Sequence, residues 1–161
     1  MENAVRRELE NRLSARFGLE SEAFISVPGR TELIGNHTDH QRGCVVAAAV
    51  TLSLDAAAAR TGDGRIHVLS EGMEPVDVVL DSLDARPSER GSSAALVRGV
   101  AAGFAERGFL PGKTGLALAV SAGVPVGSGL SSSACFEVLV AAAMDAMLFG
   151  SGMSAAELAR I

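Results

Sequence analysis

An almost wholly apolar stretch, residues 134–149, limits most strongly how this chain can fold. A helix that is apolar all round is buried inside a domain. Asp145 interrupts the stretch, and the longest apolar run is too short to span a bilayer. With 161 residues, of which 48% are hydrophobic, the chain can form the core that such a helix needs. We therefore predict a buried helix at the centre of one domain.

The pattern of the rest predicts strands and further helices around that helix. A helix over residues 2–17 is expected to end at Gly18, and another to begin at Ser92 or Ser93. Strands are predicted at residues 24–27, 44–60, 65–70, 76–80 and 116–120. We expect residues 65–70 to form a hairpin with the strand before them. Interleaved strands and helices without strict alternation favour an α+β fold over a doubly wound α/β fold.

Charge and composition exclude several classes of function. The net charge of −5 and the absence of Trp and Tyr argue against a nucleic-acid binder or a protein of anionic membranes. The N-terminus has no apolar signal segment. Cys44 and Cys135 lie far apart in apolar surroundings, which indicates two reduced core thiols or, alternatively, one disulfide. These features predict a cytoplasmic protein.

The stretch VPVGSGLSSSACFEV, residues 124–138, has the chemistry of a phosphate-binding loop. Gly127 and Gly129 let the main chain approach a ligand closely, and three serines open the apolar helix. The spacing is neither that of a Walker A loop nor that of a dinucleotide-binding fingerprint. The alternative is an ordinary serine-capped helix after a tight turn.

A second polar stretch, SVPGRTELIGNHTDHQRG at residues 26–43, stands out in this apolar chain. It is compatible with a solvated loop, with a zinc site formed by HTDH, or with a site for a polyhydroxyl ligand such as a sugar. Leu33 and Ile34 are expected to anchor it in the core. An anchored segment would hold its Arg, Asn, His and Asp side chains in fixed directions, which favours the sugar site.

Together the two stretches resemble motifs of a known kinase family. PGRTELIGNHTDHQRG is similar to the galactokinase signature GRxNLIGEHxDY, and VPVGSGLSSSA resembles the PxGxGLSSSA loop of the galactokinase–homoserine–mevalonate–phosphomevalonate kinases. The resemblance implies the N-terminal domain of the galactokinase-type small-molecule kinase fold (ribosomal protein S5 domain 2-like). This is an α+β fold with a mixed sheet packed with helices, here spanning residues 1–161.

The resemblance also implies roles for individual residues, with ATP and Mg²⁺ as cofactors. Arg30 is expected near the transferred phosphoryl group as a catalytic residue. The residues expected to bind the sugar are Asn36, His37, Thr38 and Asp39. Those expected to bind the ATP phosphates are Gly127, Ser128, Gly129, Leu130, Ser131, Ser132 and Ser133, with Ser133 also a ligand of Mg²⁺.

Three positions depart from the galactokinase pattern: Glu32 replaces Asn, Asn36 replaces an acid, and His40 replaces Tyr. The change at Asn36 leaves the identity of the sugar open. The chain also has no CGxxDQ-type segment, which carries the catalytic Asp of the family.

We therefore expect the N-terminal part of an ATP-dependent sugar kinase that acts at the anomeric hydroxyl, inactive by itself and prone to self-association. The alternatives are a non-catalytic sugar and ATP sensor and a kinase of mevalonate-like alcohols. No nucleic-acid or membrane partner is expected.

Overall fold

In the part of the chain that the structure describes, a five-stranded mixed sheet carries helices on both faces. The computed structural model describes residues 2–35, 44–109, 112–125, 127, 129–150 and 152–161. The helices are α1 (Glu2–Phe17), α2 (Ser93–Glu106), α3 (Ser132–Met144) and α4 (Ala155–Leu158). The strands are β1 (Ala23–Ile34), β2 (Val46–Thr61), β3 (Arg65–Ser70), β4 (Val76–Val79) and β5 (Gly115–Val120).

The order of strands in the sheet is β1-β2-β5-β3-β4. β3 and β5 are parallel, and the other neighbours are antiparallel. The predicted α+β class with a mixed sheet is confirmed.

β2 and β5 pair at the centre of the sheet, where residues 56–59 of β2 and 117–120 of β5 are buried on both faces. Large side chains such as Leu116 and Leu118 point towards α2 and α3 and form the main core. The opposite face is lined by short side chains that pack against α1: Ala57, Ala59, Ala117 and Ala119 meet Leu9 and Leu13. A strand with two buried faces has no polar alternation, which explains the uninterrupted apolar sequence of β5.

The predicted boundaries of α1 and the predicted start of α2 agree with the structure. Gly18 adopts a φ of 68° and donates its main-chain N–H to the Ser14 carbonyl oxygen, which ends α1. The Ser92 hydroxyl accepts a hydrogen bond from the Ala95 N–H at the start of α2. Ser154 and Glu157 form a capping box at α4.

An ion pair between the buried Arg98 and the partly exposed Glu89 connects α2 to the loop before it. Arg98 is 3% exposed and donates to both carboxylate oxygens of Glu89, at 2.7 Å each, and to the Ser82 carbonyl oxygen. The hydrogen bonds from Arg98 hold the pKa of the Glu89 carboxyl below its ordinary value. Removing Glu89 would leave the charge of the buried Arg98 without compensation, whereas Glu89 also contacts Arg86 at 3.5 Å, so we infer that Arg98 and Glu89 together fix the position of the loop.

Two strand predictions are wrong. β1 does not end at Pro28-Gly29 but continues to Ile34, because proline is tolerated in an edge strand, where its missing N–H need not face a partner. β3 does not form a hairpin with β2, because β5 lies between them and pairs with both. The wholly buried β5 gains two hydrogen-bonded neighbours in this position.

The apolar stretch forms α3 and a π-helical turn, Asp145–Phe149, that continues it. By length and composition alone, the helical segment Ser132–Phe149 could cross a membrane. The whole segment is longer than the apolar run that the sequence analysis considered. Half of it is buried inside the fold, and Leu139 and Met144 are almost completely enclosed. This burial confirms the predicted core helix.

Three side chains lie in other surroundings than predicted. Leu33 and Ile34 are 62% and 70% exposed, so they do not anchor the polar stretch in the core. β1 and β2 extend beyond the helices at this end, and no helix of the described chain covers them. Cys44 is exposed while Cys135 is buried, and both are free thiols.

Candidate functional site

Arg30 lies on β1 where this strand meets the glycine- and serine-rich loop. Its Nε donates a hydrogen bond to the Ser131 hydroxyl at 3.1 Å. Its main-chain N–H donates to the Leu130 carbonyl oxygen at 3.3 Å. Two motifs that are about a hundred residues apart in sequence therefore contact each other through both main chain and side chain.

The close approach of these two segments depends on Gly29, which is buried. A Cβ atom at this position would lie 3.2 Å from the Leu130 carbonyl oxygen and 3.3 Å from a methyl group of Val50. Both distances are tighter than most real Cβ contacts. Glycine thus allows the strand to lie directly against the loop, which explains its place beside Arg30.

The loop has an unusual main-chain conformation. Gly127 and Gly129 have φ angles of 75° and 76°, and Ser131 has a φ of 56°. A positive φ is uncommon for a residue with a Cβ atom and costs of order 1 kcal/mol. Ser131 occupies the N-cap position of α3, yet its hydroxyl forms no capping hydrogen bond there and instead accepts from Arg30.

This arrangement makes the start of α3 suitable for an anion. The first N–H groups of a helix have no partner within the helix and carry its positive dipole end. Here α3 begins at Ser132 without a side-chain cap from Ser131, and Ser133 is exposed. Loops that combine such a helix start with glycines at positive φ commonly bind phosphate.

A cavity of about 530 Å³ adjoins the loop. It lies between the first turns of α2 and α3, so two helix N-termini border it. Its polar lining includes Ser92, Ser93, Ser132 and Ser133, and its apolar lining includes Leu54, Leu96 and Phe136. Such a mixture of a few polar groups with apolar walls is typical of a small-molecule site.

Cys135 connects the beginning of α3 to β1. Its Sγ donates to the Val27 carbonyl oxygen at 3.2 Å, and burial raises the pKa of the thiol. A raised pKa keeps the thiol protonated and poorly nucleophilic at neutral pH. We infer that Cys135 supports the site structurally.

The structure brings together part of the predicted site. It places Arg30, Leu130 and Ser131 in contact and places Ser132 and Ser133 at the cavity. The predicted sugar-binding residues Asn36, His37, Thr38 and Asp39 lie outside the described residues, as does Ser128.

The sequence interpretation did not assign Ser92 and Ser93 to this region, although it predicted a helix start there. The sequence GSS at residues 91–93 is similar to the serine-rich start of α3. That similarity was a signal that the N-termini of α2 and α3 border the same cavity.

Comparison with known proteins agrees with these motifs. The galactokinase galactose-binding signature matches residues 11–60, and the N-terminal domain of GHMP kinases matches residues 95–161. The galactokinase of Streptomyces coelicolor is 35% identical over 161 residues, which are 100% of this chain and 41% of that protein. The galactokinase of Bacillus subtilis is 35% identical over 138 residues, or 84% of this chain and 35% of that protein.

Solved structures show the same relationship. The structure of Lactococcus lactis galactokinase complexed with galactose aligns with a TM-score of 0.80 at 28% identity, covering 96% of this chain and 40% of that one. Mevalonate kinase of Methanococcus jannaschii, at 18% identity and a TM-score of 0.70, shares the fold, over 86% of this chain and 45% of that one.

The chain thus spans less than half the length of these relatives. With both motifs in place and both family descriptions matched, the chain belongs to the galactokinase family of GHMP kinases and corresponds to its N-terminal part.

Proposed function

We propose that this chain provides the sugar-binding and ATP-phosphate-binding part of a galactokinase-like sugar kinase. The reaction of the whole protein is transfer of the ATP γ-phosphate to a sugar hydroxyl, the anomeric one. The observation that carries this proposal is the hydrogen bond from Arg30 to Ser131, because it joins the sugar-signature segment to the phosphate loop. Phosphoryl transfer requires that acceptor and donor be held in line and close together.

ATP is proposed to bind with its phosphates on residues 127–133 and its nucleoside in the adjoining cavity. The glycines at positive φ and the start of α3 support the phosphate part of this proposal. The apolar portion of the cavity, with Leu96 and Phe136, supports the nucleoside part.

Mg²⁺ is compatible with this donor set, since Ser133 offers an exposed hydroxyl beside the proposed phosphate position. Mg²⁺ retains several waters and needs few protein ligands. The metal would neutralise charge on the phosphate oxygens.

Arg30 is proposed as the residue that stabilises charge on the transferred phosphoryl group. Its guanidinium is exposed and borders the loop, where a phosphate would lie within its reach. A planar guanidinium presents several N–H donors in a fixed geometry that matches phosphate oxygens.

Asn36, His37, Thr38 and Asp39 are proposed to line the sugar site, with Asp39 accepting hydrogen bonds from sugar hydroxyls. Asn36 stands where galactokinases have an acid, so it can donate where an acid only accepts. We propose that this difference adjusts which monosaccharide fits. Galactose or a related monosaccharide is the proposed substrate class.

We further propose that residues 1–161 form the N-terminal domain of a longer cytoplasmic protein whose catalytic Asp lies outside this chain, which lacks a CGxxDQ-type segment. Alone, this part would be inactive. Exposed Leu33, Ile34 and Val46 would promote its self-association.

A panel of monosaccharides, tested with ATP and Mg²⁺ on the protein that carries this chain, tests the function. We expect ATP-dependent phosphorylation of at least one sugar and a shift towards galactose in Asn36→Glu. Sugar and ATP binding without turnover would favour the non-catalytic sensor instead. An unchanged sugar preference in Asn36→Glu would remove Asn36 from the site.

A further inference from the structure

A second cavity of about 370 Å³ lies beside the π-helical turn that follows α3. Its apolar walls include Phe109, Phe149 and Met153, and its charged residues are Arg107, Asp145 and Glu157. It shares no lining residue with the cavity at the phosphate loop. The proposed kinase chemistry therefore does not explain it.

Asp145 is the notable residue of this cavity because it is buried and, within the described part of the chain, has no partner for its charge. It begins the π-helical turn, in which the Gly150 N–H donates to the Asp145 carbonyl oxygen at 2.9 Å. The residue is 6% exposed, and among the described residues its carboxylate forms no hydrogen bond or ion pair. No unpartnered side-chain oxygen in the described chain is sealed from solvent, and Asp145 lines the cavity.

The other charged groups of the cavity already have partners. Arg107 donates to the Gly103 carbonyl oxygen at 2.8 Å and to the Arg160 carbonyl oxygen at 2.5 Å. Glu157 is bound in the capping box of α4, where hydrogen bonds from Ser154 lower the pKa of its carboxyl. Among the described residues, neither group forms a hydrogen bond or an ion pair with the carboxylate of Asp145. A buried carboxylate in this state favours a cation brought from outside.

The walls of the cavity indicate what kind of cation fits. The rings of Phe109 and Phe149 have centroids 5.1 Å apart and belong to a cluster with Phe104. Aromatic rings attract organic cations and also pack against alkyl chains. An inorganic divalent ion would instead require several oxygen ligands around it.

We propose that this cavity binds a small organic cation of the primary alkylammonium class. The ammonium group donates hydrogen bonds to Asp145, and the alkyl chain lies against Phe109, Phe149 and Met153. The volume suits a ligand with only a few carbon atoms. This site is independent of sugar phosphorylation.

Titration of the purified protein with n-butylamine, followed by NMR, tests the proposal. n-Butanol serves as the neutral analogue of the same shape, and n-butyrate as the anionic one. We expect saturable shifts at Phe109 and Phe149 with the amine and at least tenfold weaker binding of both analogues. Equal binding of amine and alcohol, shifts located elsewhere, or no saturation with the amine would overturn the proposal.

Asp145→Asn keeps the size of the side chain and removes its charge, and we expect it to weaken amine binding at least tenfold. Asp84→Asn, at an exposed position, is the matched control and should bind as the unaltered protein does. Unchanged affinity in Asp145→Asn would contradict the proposal. If that variant does not fold, Phe149→Leu provides the test, because it retains the carboxylate of Asp145. We expect it to weaken binding of the amine several-fold and not to strengthen binding of the alcohol, and unchanged binding of the amine would contradict the proposal.

Discussion

The β1–β2 hairpin has an inner half and an outer half that differ in almost every property. The inner half, residues 23–28 paired with residues 53–58, lies in the sheet between helices and includes the buried Leu54 and Ala56. The outer half, residues 30–34 paired with residues 46–49, carries Arg30 and the exposed Leu33 and Ile34. One pair of strands therefore supplies buried core residues at one end and contacts the glycine- and serine-rich loop at the other.

The difference between the halves shows how a rigid element can present a functional side chain. The pairing register shifts between Pro28 and Arg30, at the junction of the two halves. Such irregularities commonly redirect a side chain next to a site. Here Arg30 follows the shift and contacts Ser131, while the inner half fixes the strand that carries it.

The largest effect that we expect comes from a pair of leucines on β2. Leu54 is 6% exposed, whereas Leu52, two residues earlier, is 45% exposed. Leu54→Ala should lower the free energy of unfolding by about 3 kcal/mol, because it removes buried apolar contacts and leaves a cavity. Leu52→Ala should lower it by less than about 1 kcal/mol. Urea unfolding of both variants measures this, and similar losses would contradict the fall in burial along β2 from the inner half towards the outer half.

An intermediate effect is expected at the junction itself. Gly29→Ala would place a Cβ atom 3.2 Å from the Leu130 carbonyl oxygen, so the strand and the phosphate loop must separate slightly. We expect a loss of stability of about 1–2 kcal/mol together with weaker binding of ATP. Chemical unfolding and nucleotide titration measure the two effects.

Gly99→Ala on α2 is the matched control for the junction. A Cβ atom at Gly99 would meet no described atom within 4 Å, and alanine favours a helix, so this variant should be slightly more stable than the unaltered protein. If Gly29→Ala were also as stable as the unaltered protein and bound ATP equally well, close contact between β1 and the loop would not be needed for stability or for ATP binding.

The smallest effect concerns the turn between β2 and β3, where Asp63 contacts Thr61 on β2 and His67 on β3. Burial acts to raise the pKa of Asp63, but hydrogen bonds from Thr61 and His67 outweigh it and hold that pKa below its ordinary value. The contribution of Asp63 is therefore present at neutral pH and is lost as the pH falls below about 4.

Asp63→Asn should cost less than about 1 kcal/mol at pH 7, because the side chain is half exposed, and the cost should disappear in acid. Unfolding curves between pH 7 and pH 3 test this. A difference that stays constant over the whole range would show that the charge of Asp63 does not contribute.

The sequence was sufficient to predict the elements whose signals are local. The helix over residues 2–17, its end at Gly18 and the start of α2 at Ser92 were predicted, because caps and periodicity depend on neighbours in sequence. The position of β5 between β2 and β3 was missed, because strand order depends on contacts between distant segments.

The site shows the same limit. The two motifs predicted which residues form the site, and the structure brings Arg30, Leu130 and Ser131 into contact. The exposure of Leu33 and Ile34 was not predictable, since it depends on how far the helices cover the sheet. The Ser131 hydroxyl accepts a hydrogen bond from Arg30 instead of capping α3. This was not predictable either, because the two residues are distant in sequence.

The turnover of an Arg30→Ala variant tests the central claim most directly, namely that the outer half of the hairpin and the phosphate loop form one phosphoryl-transfer site. Measured on the protein that carries this chain, turnover should fall by about 100-fold or more while the Kd for sugar changes little. Arg7→Ala, on the exposed surface of α1, should retain full turnover. Unchanged turnover in Arg30→Ala, or an equal loss in both variants, would contradict the claim.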